Sequence, residues 1–520
     1  IGPLSTKTFR SRLCSKVVHL LNIKRQTPDR IVAFMPKQSA DMTDDMSANS
    51  RLPLCVDLDG TLLLGDAGIE SALALTKRNP LYALAMLYWL LLGFATLKRN
   101  IAQRVTLDPA TMPWDPRVVD WIKHEAETRT CLLVTASDAL LAIPIAEHLG
   151  CFAEVIASDG KTNLAGANKA QALVDRYGER GFDYAGNSGS DLAVWQKART
   201  AVIANATPRL QRRAARLFRT GKVFPRRTHG LRTWIQALRV HQWVKNLLVF
   251  VPLIGAHLLD DSQRVMQAAV AWLLFGLCTS GTYLINDLFD LQADRTHPRK
   301  RHRALASGRL DLQYALLAAP VLIAASLIGA ALLLPLAFMA WLAAYLLLTL
   351  GYSLWLKRMI VIDALVLAAL FTFRILAGGS ATRVEVSPWL LTLSMLVFAS
   401  LALLKRHAEL HDLGARKLEQ ASGRGYRSQH RNLVWWLGIS TGLATIVLLG
   451  TYIESPTSHA LYRHQGILWL LCPLLAGWLA RLWWLAKAGR MHDDPIMFAS
   501  RDITSWIVLI LGASITWMAI

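Results

Sequence analysis

Nine apolar segments fill the chain from residue 243 to its end. Each is close to the ~20 residues that an α-helix needs to cross about 30 Å of hydrocarbon, and the shorter ones require a thinned bilayer or an extension at their ends. Residues 241–520 are therefore predicted to form an all-α membrane bundle of nine transmembrane helices. The segments are 243–259, 265–285, 313–332, 333–355, 360–378, 387–404, 433–453, 467–486 and 504–520.

Positive charge is distributed unevenly between the loops that join these segments. The loops after segments 2, 4, 6 and 8 carry 18 Lys and Arg, whereas those after segments 1, 3, 5 and 7 carry three. Because the cytoplasmic loops of membrane proteins hold the excess of Lys and Arg, the first set is predicted to face the cytoplasm. The chain is thus interpreted as a multi-pass protein of the inner (cell) membrane with a cytoplasmic N-terminal domain.

The whole chain is basic, with 57 Lys and Arg against 36 Asp and Glu and a net charge of +21. A soluble protein of this charge would suggest a nucleic-acid partner, but here most of the excess flanks apolar segments. Anionic membrane lipids are therefore the predicted partner, and no nucleic acid is expected. The six cysteines include no Cys-x-x-Cys pair and are predicted to be buried thiols in a reducing compartment.

A cluster of acidic side chains follows the second apolar segment and runs directly into a basic stretch, residues 295–303. Its members recur at spacings of three and four, so they share one helical face. Such a face can hold Mg²⁺, and the adjacent arginines suit the phosphates that the cation bridges. The cluster predicts chemistry on a diphosphate at the membrane surface, and a solvated acidic helix end is the alternative. The predicted metal ligands are Asn286, Asp287, Asp290 and Asp294.

These features resemble the UbiA superfamily of intramembrane prenyltransferases, over about residues 235–520. The Asn-Asp-x-x-Asp-x-x-x-Asp motif follows the second segment, and Gln242-Trp243-Val244-Lys245-Asn246 begins the first. Ordinary members carry a second Asp-rich motif after the fourth span. Here that stretch has one Asp, Asp363, and Leu367 stands where a second Asp would be expected.

The chain is similar to the branch of that superfamily that makes polyprenyl-phosphate phosphoribose. The resemblance implies Mg²⁺-dependent transfer of phosphoribose from phosphoribosyl diphosphate to a polyprenyl phosphate. The alternative is polyprenyl transfer from a prenyl diphosphate to an aromatic acceptor such as 4-hydroxybenzoate. For Arg374 a structural ion pair is a second interpretation, and for Lys245 an interfacial anchor. The implied substrate-binding residues are Gln242, Lys245, Asn246, Arg299, Tyr352, Lys357, Asp363 and Arg374.

The N-terminal half carries a different set of motifs. An apolar strand precedes Asp57-Leu58-Asp59-Gly60-Thr61, in which Asp57 would attack a phosphate and Asp59 would protonate the leaving group. With Thr135, Lys169 and the stretch from Tyr184 to Asp191, these residues resemble in order the four motifs of the haloacid dehalogenase (HAD) superfamily.

That resemblance covers about residues 50–205 and implies an α/β Rossmannoid hydrolase domain with a small helical cap. It implies catalytic roles for Asp57, Asp59, Thr135 and Lys169, and a Mg²⁺ site at Asp57 and Asp191. One hypothesis is that this domain removes the 5-phosphate of the phosphoribosyl lipid. Asn187 stands where the family often has Asp, so a catalytically inactive regulatory module is the alternative.

The predicted domain organisation has four parts. Residues 1–50 form a basic, disordered segment, 51–205 the HAD-like domain, 206–240 a basic linker and 241–520 the membrane transferase. The apolar stretch 80–97 is not counted as a span, because a single crossing would put Asp57 and Thr135 on opposite sides of the membrane. It is interpreted as the cap, either buried or lying on the bilayer.

Overall fold

The computed structural model describes residues 52–226, 230–415, 425–491 and 494–520. The prediction for residues 1–50 lies outside this part of the chain. Two compact units are present. The α/β unit contains the described residues up to Trp234 together with Asp287–Ala315, and we call this second stretch the Asp segment. The helical unit contains Ile235–Asn286 and Leu316–Ile520.

The α/β unit is built on a six-stranded parallel sheet with the order β3-β2-β1-β4-β5-β6. The strands are short and apolar, and β1 alternates between two cores, with Leu54 and Val56 in one and Cys55 in the other. Burial on both faces is typical of a parallel sheet covered by helices. The strands are β1 (Leu54–Val56), β2 (Cys131–Asp138), β3 (Glu154–Ser158), β4 (Asp183–Gly186), β5 (Thr200–Ala204) and β6 (Thr220–Phe224).

Helices follow the strands with recognisable start signals. The carboxylate of Asp66 accepts a hydrogen bond from the N–H of Ile69, and the Thr207 hydroxyl accepts one from Leu210, so side chains cap α1 and α8. The helices of this part are α1 (Ala67–Arg78), α2 (Tyr82–Leu91), α3 (Phe94–Ala102), α4 (Pro116–Ala126), α5 (Ala139–Leu149), α6 (Ala167–Tyr177), α7 (Leu192–Lys197), α8 (Pro208–Leu217) and α9 (Leu231–Ala237).

The strand order places a site at one edge of the sheet. Strand β1 pairs with β2 on one side and with β4 on the other, so the strand order reverses direction at β1. In open α/β sheets ligands bind beyond the carboxyl ends of the strands at such a switch point. Asp57 follows β1 and Asn187 follows β4, so both lie at that edge.

The apolar stretch 80–97 forms two short helices. Helix α2 ends before Gly93, whose φ of +114° is open to glycine and rarely to other residues, and α3 begins after it. Ala85 and Trp89 are buried, whereas Leu84, Leu87 and Leu91 on α2 are exposed. A ten-residue helix is too short to cross a bilayer. Its interpretation as a cap lying on lipid stays a prediction.

Seven helices of the described residues are long and apolar enough to cross a membrane. They are Ser262–Phe289, Leu312–Leu333, Leu336–Leu354, Ile362–Thr382, Pro388–Gly414, Ser428–Ile453 and Gln465–Lys487. The prediction of nine spans is therefore not confirmed. The first predicted segment forms a 3₁₀ helix, Val240–Phe250, and then a short α-helix that begins beside Pro252. The ninth forms a helix of 17 residues, Ile503–Ala519.

Helices α10 to α22 complete the chain. They are α10 (Val251–Gly255), α11 (Ser262–Phe289), α12 (Leu291–Thr296), α13 (Leu312–Leu333), α14 (Leu336–Leu354), α15 (Ile362–Thr382), α16 (Pro388–Ala415), α17 (Arg431–Ile453), α18 (Pro456–Leu461), α19 (Gln465–Leu468), α20 (Leu471–Lys487), α21 (Pro495–Ala499) and α22 (Ile503–Ala519).

The 3₁₀ segment Val240–Phe250 packs closely against α11 and α15 through two glycines. The ring of Trp243 occupies the space where a β-carbon of Gly276 would lie. A β-carbon at Gly378 would lie 2.0 Å from the carbonyl oxygen of Val249. Gly378 lies four residues after Arg374 on α15, so this part of the helix serves close backbone packing.

We expect Gly378→Ala to lower the free energy of unfolding in detergent by about 1–3 kcal/mol, because the added methyl group forces Val249 away. Gly477→Ala in α20 is the matched control, since a β-carbon there would meet no atom of the described residues within 4 Å. The measurement is thermal unfolding of both purified variants. Equal stability of Gly378→Ala and wild type would contradict the close packing.

Candidate functional site

A chain of polar contacts crosses the switch point of the sheet. The Lys169 ammonium donates to Oδ1 of Asp57 and to the hydroxyl of Tyr184, each at 2.8 Å. The Tyr184 hydroxyl donates in turn to Oδ1 of Asp191, at 3.0 Å. Three of the predicted motifs therefore meet at one edge of the sheet, with Lys169 compensating the charge of the Asp57 carboxylate.

Asp59 is held at the start of α1. Its Oδ1 accepts from the N–H of Ala67 at 2.7 Å, and its Oδ2 accepts from the Ser137 hydroxyl at 2.6 Å. Burial, reinforced by the charge of Asp66, raises the pKa of Asp59 to about 7. Burial also raises the pKa of Asp57 to about 6, against the attraction of Lys169. Asp59 can therefore keep a proton near neutral pH, as a proton donor must.

Two hydroxyl residues near the end of β2, Thr135 and Ser137, have different positions in the site. Thr135 is fully buried, and its hydroxyl oxygen accepts a hydrogen bond from the N–H of Ser137 at 3.0 Å. Ser137, two residues further, lines the cavity and contacts Asp59. Sequence reasoning chose Thr135 because it ends an apolar run, and missed Ser137. The catalytic role of Thr135 stays a prediction.

The cavity over Asp57 and Asp59 has a volume of about 670 Å³. Asn187 and residues 308 and 311–314 of the Asp segment are among its lining residues. Five cations also line it, and sequence reasoning had assigned only one of them to the site. The cations are Lys98, Lys169, Arg209, Arg213 and Arg226.

The donors at this edge do not fit the predicted Mg²⁺ site. Oδ2 of Asp191 accepts from the N–H groups of Asn187 and Ser188 and from the Ser188 hydroxyl, and its Oδ1 accepts from Tyr184. Three of these bonds occupy Oδ2 and one engages Oδ1, so the protein itself orients this carboxylate, and Asn187 supplies no charge. Within residues 52–226, 230–415, 425–491 and 494–520, no three His, Cys, Asp or Glu side chains converge as a metal site. The predicted metal role of Asp191 therefore has no support in this geometry.

Two carboxylates of the Asp segment share one cation. A guanidinium nitrogen of Arg303 lies 3.1 Å from Oδ1 of Asp287 and 2.6 Å from Oδ2 of Asp294. Asp290 is turned elsewhere and pairs with Lys77 at 2.8 Å. Mg²⁺ is commonly held by one or two carboxylates together with substrate phosphates. Asp287 and Asp294 fit that arrangement, with the guanidinium standing where a cation would bind.

The Asp segment is anchored to α1 by a second ion pair. Arg295 forms two hydrogen bonds of 2.7 Å with the carboxylate of Glu70 and a third with the carbonyl of Ala306. The side chains of Arg295 and Glu70 are only 5% and 2% exposed. Charge-assisted bidentate pairs are strong and directional, so the segment is fixed to the helix that follows Asp59.

In the helical unit, two lysines surround one carboxylate. The ammonium groups of Lys405 and Lys245 lie 2.7 and 3.2 Å from Oδ2 of Asp494. Burial would raise the pKa of Asp494, but the two lysines hold it below its usual range. Lys245 is buried and paired with Asp494, and its substrate-binding role stays a prediction. Two ammonium groups around one carboxylate leave a net positive charge that can receive a phosphate.

Arg374 is buried between aromatic rings. Its guanidinium donates to Oδ1 of Asn246 at 2.9 Å and to the hydroxyl of Tyr345 at 3.0 Å, and it lies over the rings of Phe371 and Tyr345. Among the described residues it has no carboxylate partner, so the structural ion pair is not seen. The phosphate-binding role of Arg374 and Asn246 stays a prediction.

Asp363 has a partner that sequence reasoning missed. Arg406 is almost fully buried and contacts both Asp363 and the hydroxyl of Tyr352, the latter at 2.9 Å. The Tyr352 hydroxyl also donates to Oδ1 of Asp363 at 2.8 Å. Asp363 is thus neutralised within the protein, and its predicted substrate contact has no support here. Residues 405–407 were counted among the positive charges of a loop predicted to be cytoplasmic, so the pairing of Arg406 with Asp363 was not predicted.

The remaining predicted residues lie at helix ends. Gln242 is half-buried in the 3₁₀ segment, and Asn286 is half-buried in the last turn of α11. Arg299 is exposed before the 3₁₀ turn Lys300–His302. Lys357 is half-buried in the 3₁₀ turn Leu356–Arg358. The substrate roles of Gln242, Arg299 and Lys357 and the metal role of Asn286 stay predictions.

The architecture defines a multi-pass membrane protein that combines an apolar helical bundle with a parallel-sheet α/β part. Residues 248–511, just over half of the 520-residue chain, match the UbiA prenyltransferase family. The chain belongs to this family and is a UbiA-type intramembrane prenyltransferase. The predicted resemblance to UbiA is confirmed, whereas the resemblance to HAD hydrolases and the membrane orientation stay predictions.

Three relatives show how the similarity extends. "Uncharacterized protein y4nM" of Sinorhizobium fredii is 37% identical over 474 residues, which are 90% of this chain and 91% of that one. "Nodulation protein NoeC" of Azorhizobium caulinodans is 33% identical over 54% of this chain and 91% of its own. The decaprenyl-phosphate phosphoribosyltransferase of Corynebacterium glutamicum is 36% identical over 44% and 69%. Since 474 residues exceed the length of either half, the first relative resembles both halves.

Glu70→Ala should destabilise the α/β unit by about 3–5 kcal/mol, because it leaves the buried Arg295 without its counter-charge. Glu179→Ala is the control: it removes a carboxylate from an exposed pair with Lys197, and such pairs contribute little. Thermal unfolding and protease cleavage within residues 287–315 are the measurements. Unchanged cleavage in Glu70→Ala would show that the pair does not hold the segment.

Proposed function

We propose that this protein transfers phosphoribose from phosphoribosyl diphosphate to a polyprenyl phosphate with the help of Mg²⁺. The observation that carries the proposal is that Asp287 and Asp294 both pair with the guanidinium of Arg303, in the basic stretch 295–303. The similarity to decaprenyl-phosphate phosphoribosyltransferases supports the choice of donor and acceptor. The incomplete second Asp motif, in which Leu367 stands where a second Asp would be expected, argues against aromatic prenylation.

In this reaction an oxygen of the lipid phosphate forms a bond to the anomeric carbon while the bond from that carbon to the diphosphate breaks. Bound Mg²⁺ would neutralise the charge that develops on the departing diphosphate. Asp287 and Asp294 would hold it, and Arg303 would move from these carboxylates to the phosphates. The task of the protein is then to position both substrates and to stabilise charge.

The cations of the helical unit suit a substrate that brings its own negative charge. Lys245 and Lys405 exceed the charge of Asp494 by one, so they can accept the phosphate of a donor or acceptor. Arg374 adds a buried guanidinium to the helical unit and orients the side chain of Asn246. Orientation by buried donors costs little reorganisation during the reaction.

Asp287→Asn should lower phosphoribosyl transfer on the order of 100-fold, because it removes one of two charges that hold the metal-diphosphate. Asp260→Asn changes an exposed aspartate of the helical unit and should leave the rate unchanged. The assay follows label from phosphoribosyl diphosphate into lipid, in detergent with Mg²⁺ and polyprenyl phosphate. Product only from polyprenyl diphosphate and 4-hydroxybenzoate would establish aromatic prenylation instead.

We further propose that the α/β unit is a HAD-like phosphatase acting on the 5-phosphate of the lipid product. The contacts of Asp57 and Asp59 support this division of roles. Asp57 would attack phosphorus, the bond from phosphorus to the sugar oxygen would break, and Asp59 would protonate that oxygen. Water would then release phosphate from Asp57, with Asp59 taking back a proton.

Lys169 and Lys98 would stabilise the phosphate during this reaction. Lys169 contacts Asp57 directly, and the Lys98 ammonium is held by the carbonyl of Ala136 and by Asn163, beside the same cavity. The buried Lys169 and the partly buried Lys98 lie beside the carboxylate nucleophile, so their positive charge can offset the negative charge of the phosphate.

Asp57→Asn should abolish phosphate release, by on the order of 10³-fold or more, because the amide is not a nucleophile. Phosphoribosyl transfer should continue, so lipid that retains both phosphates accumulates. Asp120→Asn, an exposed carboxylate on α4, is the control. Lipid products would be separated after feeding phosphoribosyl diphosphate with a labelled 5-phosphate. An identical product pattern in Asp57→Asn and wild type would favour the inactive regulatory module.

A further inference from the structure

The cavity over Asp57 is much larger than a phosphate group needs. Its volume of about 670 Å³ lies within the range of roughly 300–1,000 Å³ that accommodates a whole small-molecule ligand. Asp57, Asp59 and Lys169 account for one phosphomonoester. The rest of the cavity must then receive the remainder of the substrate, and its lining indicates the chemistry of that remainder.

Two arginines on α8 contribute charge that the protein does not neutralise. Arg209 and Arg213 are four residues apart, so they share one face of the helix, and both line the cavity. Neither guanidinium has an ion-pair or hydrogen-bond partner among the described residues, whereas Lys169 and Lys98 are both bonded. Their charge is available to a ligand.

A third arginine in the lining differs from these two. Arg226 pairs with Asp311 and lies 5.9 Å from the ring centre of Tyr314. Both partners belong to the Asp segment and also line the cavity. Arg226, which follows β6, therefore contacts the part of the cavity lining that residues 308–314 form. The positive charge of Arg226 is compensated by the carboxylate of Asp311. Lys98 has only neutral hydrogen-bond partners among the described residues, so the cavity cations that lack a carboxylate partner there are Lys98 and the two arginines on α8.

We propose that Arg209 and Arg213 form a second anion subsite, so that the cavity takes a ligand with two phosphate groups. One group lies at Asp57 as the phosphomonoester, and the second lies at the arginines. Guanidinium groups bind phosphate oxygens bidentately, which makes them suited to this role. The ligand class is a sugar that carries a phosphomonoester at one end and a second phosphate at the other.

This inference rests on the proposed phosphatase function and deepens it. The product of phosphoribosyl transfer carries a 5-phosphate and an anomeric phosphodiester, which satisfies both subsites. A simple phosphomonoester would satisfy only one. The arginines would then select the lipid-linked product over the sugar phosphates of the cytoplasm, and protect those metabolites from hydrolysis.

The test compares binding of ribose 5-phosphate and ribose 1,5-bisphosphate to the full-length protein in detergent by calorimetry. EDTA is added to remove divalent cations, so that the proposed metal-dependent binding of diphosphate at the Asp segment does not contribute. We expect wild type to bind the bisphosphate at least tenfold more tightly, a charge-assisted contact being sufficient for that difference. Arg209→Gln/Arg213→Gln should lose this preference and keep its affinity for ribose 5-phosphate.

The matched control is Arg212→Gln/Arg216→Gln, which removes the same charge from the same helix outside the cavity lining. Loss of preference in the control as well, or an equal loss for both ligands in the test pair, would reduce the effect to general electrostatics and overturn the subsite. The readout needs no turnover. If wild type prefers the bisphosphate but hydrolyses no phosphomonoester, only the phosphatase proposal is wrong. If it hydrolyses the phosphomonoester but does not prefer the bisphosphate, only the subsite proposal is wrong.

Discussion

The ion pair between Glu70 and Arg295 is the contact on which the arrangement of the α/β unit depends. Both side chains are nearly inaccessible to water, and each charge is stable there only because the other is present. Arg295 also donates to the carbonyl of Ala306, so one guanidinium ties two parts of the Asp segment to α1. The pairs Lys77–Asp290 and Arg226–Asp311 hold the same segment at more exposed positions.

Helix α1 therefore serves two proposed chemistries at once. Its first residue, Ala67, donates to the Asp59 carboxylate, its first turn carries Glu70, and its last turn carries Lys77, which pairs with Asp290. A helix is rigid over twelve residues, so Asp59 and the carboxylates of the Asp segment are held by one element. Residues 308 and 311–314 of that segment also line the cavity over Asp57 and Asp59.

Local motifs were the part of the site that sequence reasoning found. Asp57, Asp59, Lys169 and Asp191 follow apolar strands or begin helices, and parallel strands bring their carboxyl ends to one edge. Lys98 and Ser137 were missed because nothing in their local sequence marks them. Lys98 directly follows the apolar stretch 80–97, and it lines the cavity from α3, the second of the two helices that Gly93 separates.

The apolar segments, the acidic motif at the end of α11 and in α12, and the membership of the UbiA family were readable from sequence, because hydrophobic length and residue spacing are local quantities. Which charge meets which was decided by the tertiary structure alone. Arg303 between Asp287 and Asp294, Arg406 on Asp363, and Lys245 and Lys405 on Asp494 join residues that lie between 9 and 249 positions apart. Burial makes such pairing obligatory, but only packing brings the partners within reach, and residue spacing does not encode that distance.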